Sequence, residues 1–156
     1  MDFKNIFIIG SMGSGKTSIG KILAKNNHLS FLDTDHEIIR SCGYSIPDIF
    51  EKFGEEHFRN LETEQLRKMD TIENHVISTG GGIVLKDDNK KLMKSLGLII
   101  FLDINISSQM DRVKNRKNRP LLNDKNLKDN LLSLKKIRDP IYKKISNYII
   151  DVSGKE

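Results

Sequence analysis

A single cysteine, Cys42, stands among the 156 residues, so no disulfide can form within the chain. That fits a reducing compartment. No base close in sequence activates the thiol, and Cys42 reads as a packing residue. No apolar run approaches the length needed to cross a membrane. The opening, MDFKNIFIIG, lacks the form of a signal peptide. His28, His36, His57 and His75 show no metal-ligand spacing. Internal repeats, linkers and long low-complexity tracts are also missing. These absences leave a soluble, cytoplasmic protein with one compact domain over residues 1–156, long enough to bury a core without staples.

What is present is ordinary in bulk and specific in detail. The chain is 37% hydrophobic and 30% charged, with a formal charge of +5. That excess favours anionic ligands without choosing among nucleotide, nucleic acid and small acid. A lysine-rich solvated surface accounts for most of it.

Short apolar runs bounded by glycine or polar residues predict five strands: 3–9, 29–32, 76–78, 98–102 and 148–152. Helical periodicity fills the intervals at 17–25, 35–40, 55–69, 86–95, 107–114 and 127–137. Ser45, with Asp48 three residues on, marks a further helix start. Residues 115–126 are polar, basic and carry Pro120, which predicts a mobile loop. Strands alternating with helices imply right-handed crossovers and a parallel sheet, hence an α/β fold.

Gly10, Gly15, Lys16 and Thr17 match the pattern G-x-x-x-x-G-K-[ST] in full, with Gly13 inside it. The glycines let the backbone curl so that several N–H groups point inward. The following helix adds its positive end. Lys16 supplies a full charge to outer phosphates, and the Thr17 hydroxyl suits the oxygen shell of Mg²⁺. A strand before and a helix after complete the context for binding a nucleoside triphosphate. No guanine-reading N-K-x-D is present, which disfavours a GTPase switch, and the length leaves no room for a second motor domain.

Asp33-Thr34-Asp35 follows the second strand. Ligands of parallel sheets gather at the carboxyl ends of strands, so both acids belong near the phosphate loop. If the strand continued through them they would share a face, one turned to a metal and the other to an acceptor. The plainer reading is that one of them, Asp35 above all, caps the next helix.

Six motifs in order then resemble the shikimate kinases, of the nucleoside-monophosphate-kinase-like P-loop group. They are GSMGSGKT at 10–17, DTD at 33–35, FRNLE at 58–62, STGGG at 78–82, RPLL at 119–122 and RDPIY at 138–142. The resemblance implies a three-layer α/β sandwich around a five-stranded parallel sheet of order 2-3-1-4-5. It also implies substrate-binding helices at about 36–70 and a lid at about 115–126. It implies transfer of the γ-phosphoryl of ATP to the 3-hydroxyl of shikimate, with ATP and Mg²⁺ as cofactors and no nucleic-acid or membrane partner. A monomer is the plain expectation. By the same resemblance Gly13, Ser14, Gly15, Lys16, Thr17 and Ser18 hold the phosphates. Arg112 lies near the adenine, and Arg119 closes over the phosphates from the lid. Thr17 and Asp33 serve the metal. Asp35 takes the proton of the accepting hydroxyl. Arg59 and Arg138 grip the substrate carboxylate, and Gly80, Gly81 and Gly82 line its pocket. Lys16, Asp35 and Arg119 are the catalytic set.

These roles suit the residue types. A planar guanidinium binds a carboxylate through two parallel hydrogen bonds, and glycines expose backbone N–H groups and permit close approach. Plainer readings exist for each. Arg59 has Glu55 and Glu62 at helical spacing for a surface ion pair. Arg138-Asp139-Pro140 is a natural helix end, and a glycine triplet a flexible turn. The family's final helix and the Arg and Pro of its adenine loop have no counterpart in Ser153-Gly154-Lys155-Glu156. Two rival functions remain. One is another small-molecule kinase of the group, such as a gluconate or nucleotide kinase. The other is a silent regulatory or basic nucleic-acid-binding domain. Intact Lys16, Thr17, Asp33 and Asp35 speak against lost chemistry. The 114–119 stretch lacks the aromatics that a single-strand binder interleaves with its basic residues.

Overall fold

The computed structural model describes residues 3–115 and 124–154. Five parallel strands form one sheet: β1 (Asn5–Ile9), β2 (Ser30–Asp33), β3 (His75–Ser78), β4 (Gly97–Asp103) and β5 (Tyr148–Asp151). Their spatial order is β2-β3-β1-β4-β5, as the family resemblance implies. β1 is central and buried throughout, pairing with β3 on one side and β4 on the other. Its side chains alternate between two cores. Phe7 and Ile9 join Leu66, Ile77, Met93 and Tyr142 on one face. Ile6 and Ile8 join Ala24, Val76 and Leu102 on the other. Helices over both faces make three layers.

The described helices are α1 (Lys16–Asn26), α2 (Thr34–Cys42), α3 (Ile46–Phe53), α4 (Glu55–Lys68), α5 (Asp87–Leu96), α6 (Ile106–Lys114) and α7 (Asp124–Ile145). Local chemistry sets most of their ends. Ser45 Oγ accepts from Asp48 N at the start of α3, with Pro47 in its first turn. Gly43, at φ 78°, ends α2 in the left-handed conformation. Ile38, Ile49 and Phe58 pack α2, α3 and α4 into a small core of their own beside the sheet.

Two local expectations are corrected. The second strand does not run through both acids: β2 stops at Asp33 and α2 begins at Thr34. Asp33 Oδ1 accepts from His36 N at 3.2 Å, so the helix cap is Asp33 rather than Asp35. The last helix is also longer than residues 127–137. It starts at Asp124, inside the stretch read as loop, and passes through Pro140. A mid-helix proline costs about 3 kcal/mol. Tyr142 and Ile145, both buried in the main core beyond it, offset that cost by packing.

Candidate active site

The carboxyl ends of β1 and β3 carry the two turns that build the site. After β1 the chain curls through Gly10, Gly13 and Gly15, whose φ values are 150°, 83° and 89°. L-residues with a Cβ rarely adopt such angles, so glycine is required by conformation here. Gly15 opens α1 without any side-chain cap, which leaves the first N–H groups of the helix to an anion. The loop is braced from α6: Gln109 Nε2 donates to Met12 O at 2.8 Å and Arg112 Nη1 to Gly13 O at 3.3 Å. Lys16 Nζ donates to Gly10 O at 2.8 Å and Ser11 O at 3.1 Å, so the ammonium lies folded over the loop. The Thr17 hydroxyl donates to Asp33 Oδ2 at 3.0 Å and lies 3.4 Å from Ser78 Oγ. Two hard oxygen donors thus stand together at the phosphate loop.

After β3 the chain turns through Thr79 to Gly82, and no glycine here has a left-handed φ. Closeness is the reason for them. A Cβ on Gly80 would stand 2.7 Å from Asp35 Oδ1 and 3.0 Å from Glu62 Oε2. On Gly81 it would stand 3.3 Å from Arg138 Nη1 and 3.6 Å from the Tyr142 hydroxyl. On Gly82 it would collide with the Arg59 guanidinium. The turn is held at three points. Thr79 Oγ1 donates to Ile8 O at 2.9 Å, Gly80 N to Thr34 Oγ1 at 3.2 Å, and Tyr142 Oη to Gly81 O at 2.5 Å. Gly80 therefore spends its N–H inside the protein, which revises the expectation that all three glycines offer theirs.

The carboxylates here are unusual. Burial raises Asp35 above its ordinary range; Asp33 adds to the rise, while Lys16 and Arg59 oppose it. Burial likewise pushes Glu62 up to about 7, against the pull of Arg59. Arg59 Nη1 donates to Glu62 Oε1 at 2.6 Å and Nη2 to Glu55 Oε1 at 3.3 Å. The ion pair expected at the surface exists, but Glu62 is 0% exposed, so only its Glu55 arm lies in solvent. The reason is tertiary: the face of α4 that bears Arg59 and Glu62 packs beneath the Gly80–Gly82 turn. Asp35 Oδ1, Arg59 Nε and Glu62 Oε2 are buried and have no hydrogen-bond partner among the described residues. So are Ser11 Oγ and Ser14 Oγ of the phosphate loop.

One cavity of about 480 Å³ joins the two turns; Lys16, Thr17, Asp33, Asp35, Gly80 and Arg138 line it. A second, of about 740 Å³, lies on the far side of the loop against Gly13, Gly15, Ser18 and Arg112. Arg112 Nη2 there donates to Val152 O at 2.6 Å, tying the loop to the end of β5. Arg119 and most of the 115–126 segment lie outside the described residues. Four neighbours of the site were not singled out from the sequence for it. Thr34 and Tyr142 hold the glycine turn. Glu62 holds Arg59. Asp139 pairs with Lys135 at 3.0 Å on the cavity wall. DTD, FRNLE and RDPIY contain all four; their letters marked the place but not the contacts.

The strand order and the loop after β1 define a class, the P-loop kinases of the nucleoside-monophosphate-kinase-like group. Residues 12–156 match the family model described as shikimate kinase. A shikimate kinase of Methylococcus capsulatus is 40% identical over 148 residues, covering 95% of this chain and 83% of that one. Among solved structures, the shikimate kinase from Acinetobacter baumannii in complex with shikimate superposes with a TM-score of 0.87 at 41% identity, covering 96% of this chain and 83% of that chain. The shikimate kinase from Bacteroides thetaiotaomicron gives 0.90 at 33% identity, covering 95% and 86%. The chain belongs to the shikimate kinase family.

Proposed function

We infer that this protein transfers the γ-phosphoryl of ATP to the 3-hydroxyl of shikimate. One observation carries the reading. Buried polar atoms without described partners, Asp35 Oδ1 and Glu62 Oε2, converge on Gly80 beside the phosphate loop, and the Arg59 guanidinium, whose Nε is also unpartnered, packs on Gly82. Such groups are costly unless a ligand satisfies them, and a small polyhydroxylated acid has the matching chemistry. Family membership supports the same acceptor.

Gly13, Ser14, Gly15, Lys16, Thr17 and Ser18 would cradle the phosphates, with Arg112 beside the nucleoside. Thr17 Oγ1 and Asp33 Oδ2, 3.0 Å apart, fit a hard cation such as Mg²⁺. When bound, it would neutralise charge on the phosphates. Among the described residues no group of three His, Cys, Asp or Glu could hold a metal, so the remaining ligands would be phosphate and water. Arg59, Arg138 and the backbone of the glycine turn would hold the carboxylate and orient the ring. The accepting oxygen bonds to the γ-phosphorus as its bond to the bridging oxygen breaks. ADP leaves and the hydroxyl proton passes to Asp35. Burial makes Asp35 a stronger base than an ordinary carboxylate. The protein supplies position and positive charge, which is most of what phosphoryl transfer needs. Arg119, on a lid at about 115–126, would complete that charge. A cytoplasmic, single-domain monomer belongs to the same reading.

ADP release measured with Mg²⁺ and ATP, with and without shikimate, tests it. Strong stimulation by shikimate, absent with gluconate or nucleoside monophosphates, is expected. Stimulation by gluconate alone would move the acceptor. ATP binding with no stimulation would leave a silent nucleotide-binding domain.

A further inference from the structure

Tyr142 has no part in the chemistry above, yet it is 0% exposed and its ring stacks on Phe101 with centroids 5.0 Å apart. Its hydroxyl donates to Gly81 O at 2.5 Å. Burial pushes that hydroxyl up to about 12, so it remains a donor at any working pH. Arg138 lies one turn earlier on α7, and its Nη1 would stand 3.3 Å from a Cβ placed on Gly81. A single residue therefore ties the helix that carries Arg138 to the glycine turn.

The peptide unit involved matters. Gly81 O and Gly82 N–H belong to one planar trans group, in which the two bonds point in opposite directions. With glycine on both sides, no side chain resists rotation of that plane. Among the described residues the Tyr142 hydroxyl is its one hydrogen-bond partner. The Gly82 N–H has no acceptor among the described residues.

We propose that Tyr142 is a positioning residue for the substrate carboxylate: its bond to Gly81 O sets the direction of the Gly82 N–H and holds Arg138 in register with it. The inference rests on the proposed function. Removing the hydroxyl frees the peptide plane, and the loss falls on the group bound through the carboxylate. ATP is held by another turn on another strand.

Steady-state ADP release by the full chain and its Tyr142→Phe variant tests this, using shikimate and its neutral hydroxymethyl analogue. The variant is expected to raise KM for shikimate about tenfold, as loss of a hydrogen bond to a buried acceptor would. Its kcat should fall less than threefold, and KM for ATP should not move. With the neutral analogue, wild type and variant should differ little. Phe101→Leu, which loosens the ring but keeps the hydroxyl, should lower Tm without this split. Equal losses on both acceptors, or a change that follows Tm in both variants, would overturn the proposal and leave Tyr142 a core residue. Wild-type protein that ignores shikimate would overturn the functional reading itself, a failure visible before any variant is made.

Discussion

Two glycine-rich turns close neighbouring strands, and they use glycine for different reasons. In the phosphate loop, Gly10, Gly13 and Gly15 hold backbone angles that other residues resist. In the turn at Gly80–Gly82 the angles are ordinary. Glycine is there because Asp35, Glu62, Arg138 and Arg59 crowd against the missing side chains. The first turn is above all a backbone shape, braced by Gln109 and Arg112, although a Cβ on Gly10 would also stand 2.7 Å from Leu102 O. The second is a meeting place for side chains from α2, α4 and α7. A strained loop presents its own N–H groups, whereas a bare one lets other residues reach the ligand.

The largest effect should come from the centre of the first turn. Lys16→Ala should lower kcat by about 10³-fold or more, since a fixed charge on the transferring group is lost; near-normal ADP release would sink the assignment. The glycine comparison sets the next test. Gly80→Ala should lower kcat by about 10²-fold through displacement of Asp35, with KM for ATP unchanged. Gly15→Ala should instead lower stability by about 1–2 kcal/mol and weaken ATP binding, because its cost is conformational. Similar kinetics and similar Tm losses in the two variants would erase the distinction. Arg138→Lys should raise KM for shikimate about tenfold with a smaller change in kcat, since a two-pronged contact becomes a single charge. If the neutral analogue suffers equally, Arg138 does not read the carboxylate.

The smallest effect is electrostatic. Glu62 ionises near 4.5 unfolded and near 7 folded. Between those values the folded state holds the additional proton, so stability from this group is fully present below about pH 4.5 and lost as pH rises to about 7. Tm measured across that window should show a downward slope with rising pH that Glu62→Gln reduces. An unchanged slope would mean that Arg59 keeps Glu62 ionised throughout.

The first turn was legible in the sequence because its function depends on residues next to one another. GSMGSGKT specifies a shape and a charge locally, and α6 only braces it through Gln109 and Arg112. The second was legible only as separate motifs. FRNLE identified Arg59 but suggested a surface pair for it. Only packing of α4 under the glycine turn shows that Glu62 is fully buried. DTD suggested two acids on one strand face, but Asp33 ends the strand and caps α2, which turns Asp35 onto the helix. RDPIY suggested a helix end at its proline, and core contacts beyond it carry α7 onward.

By itself, then, the order of residues determined the alternation of strands and helices, the phosphate loop and the types of group that a phosphoryl transfer to a small acid requires. Those depend on local periodicity and on contiguous backbone. The tertiary structure decided which acid caps and which faces the cavity, which ion pair is buried and what fixes the glycine turn. Burial and long-range contact set those outcomes. Thr34 lies 46 residues from the glycine whose N–H it accepts, and Tyr142 lies 61 from the carbonyl to which it donates.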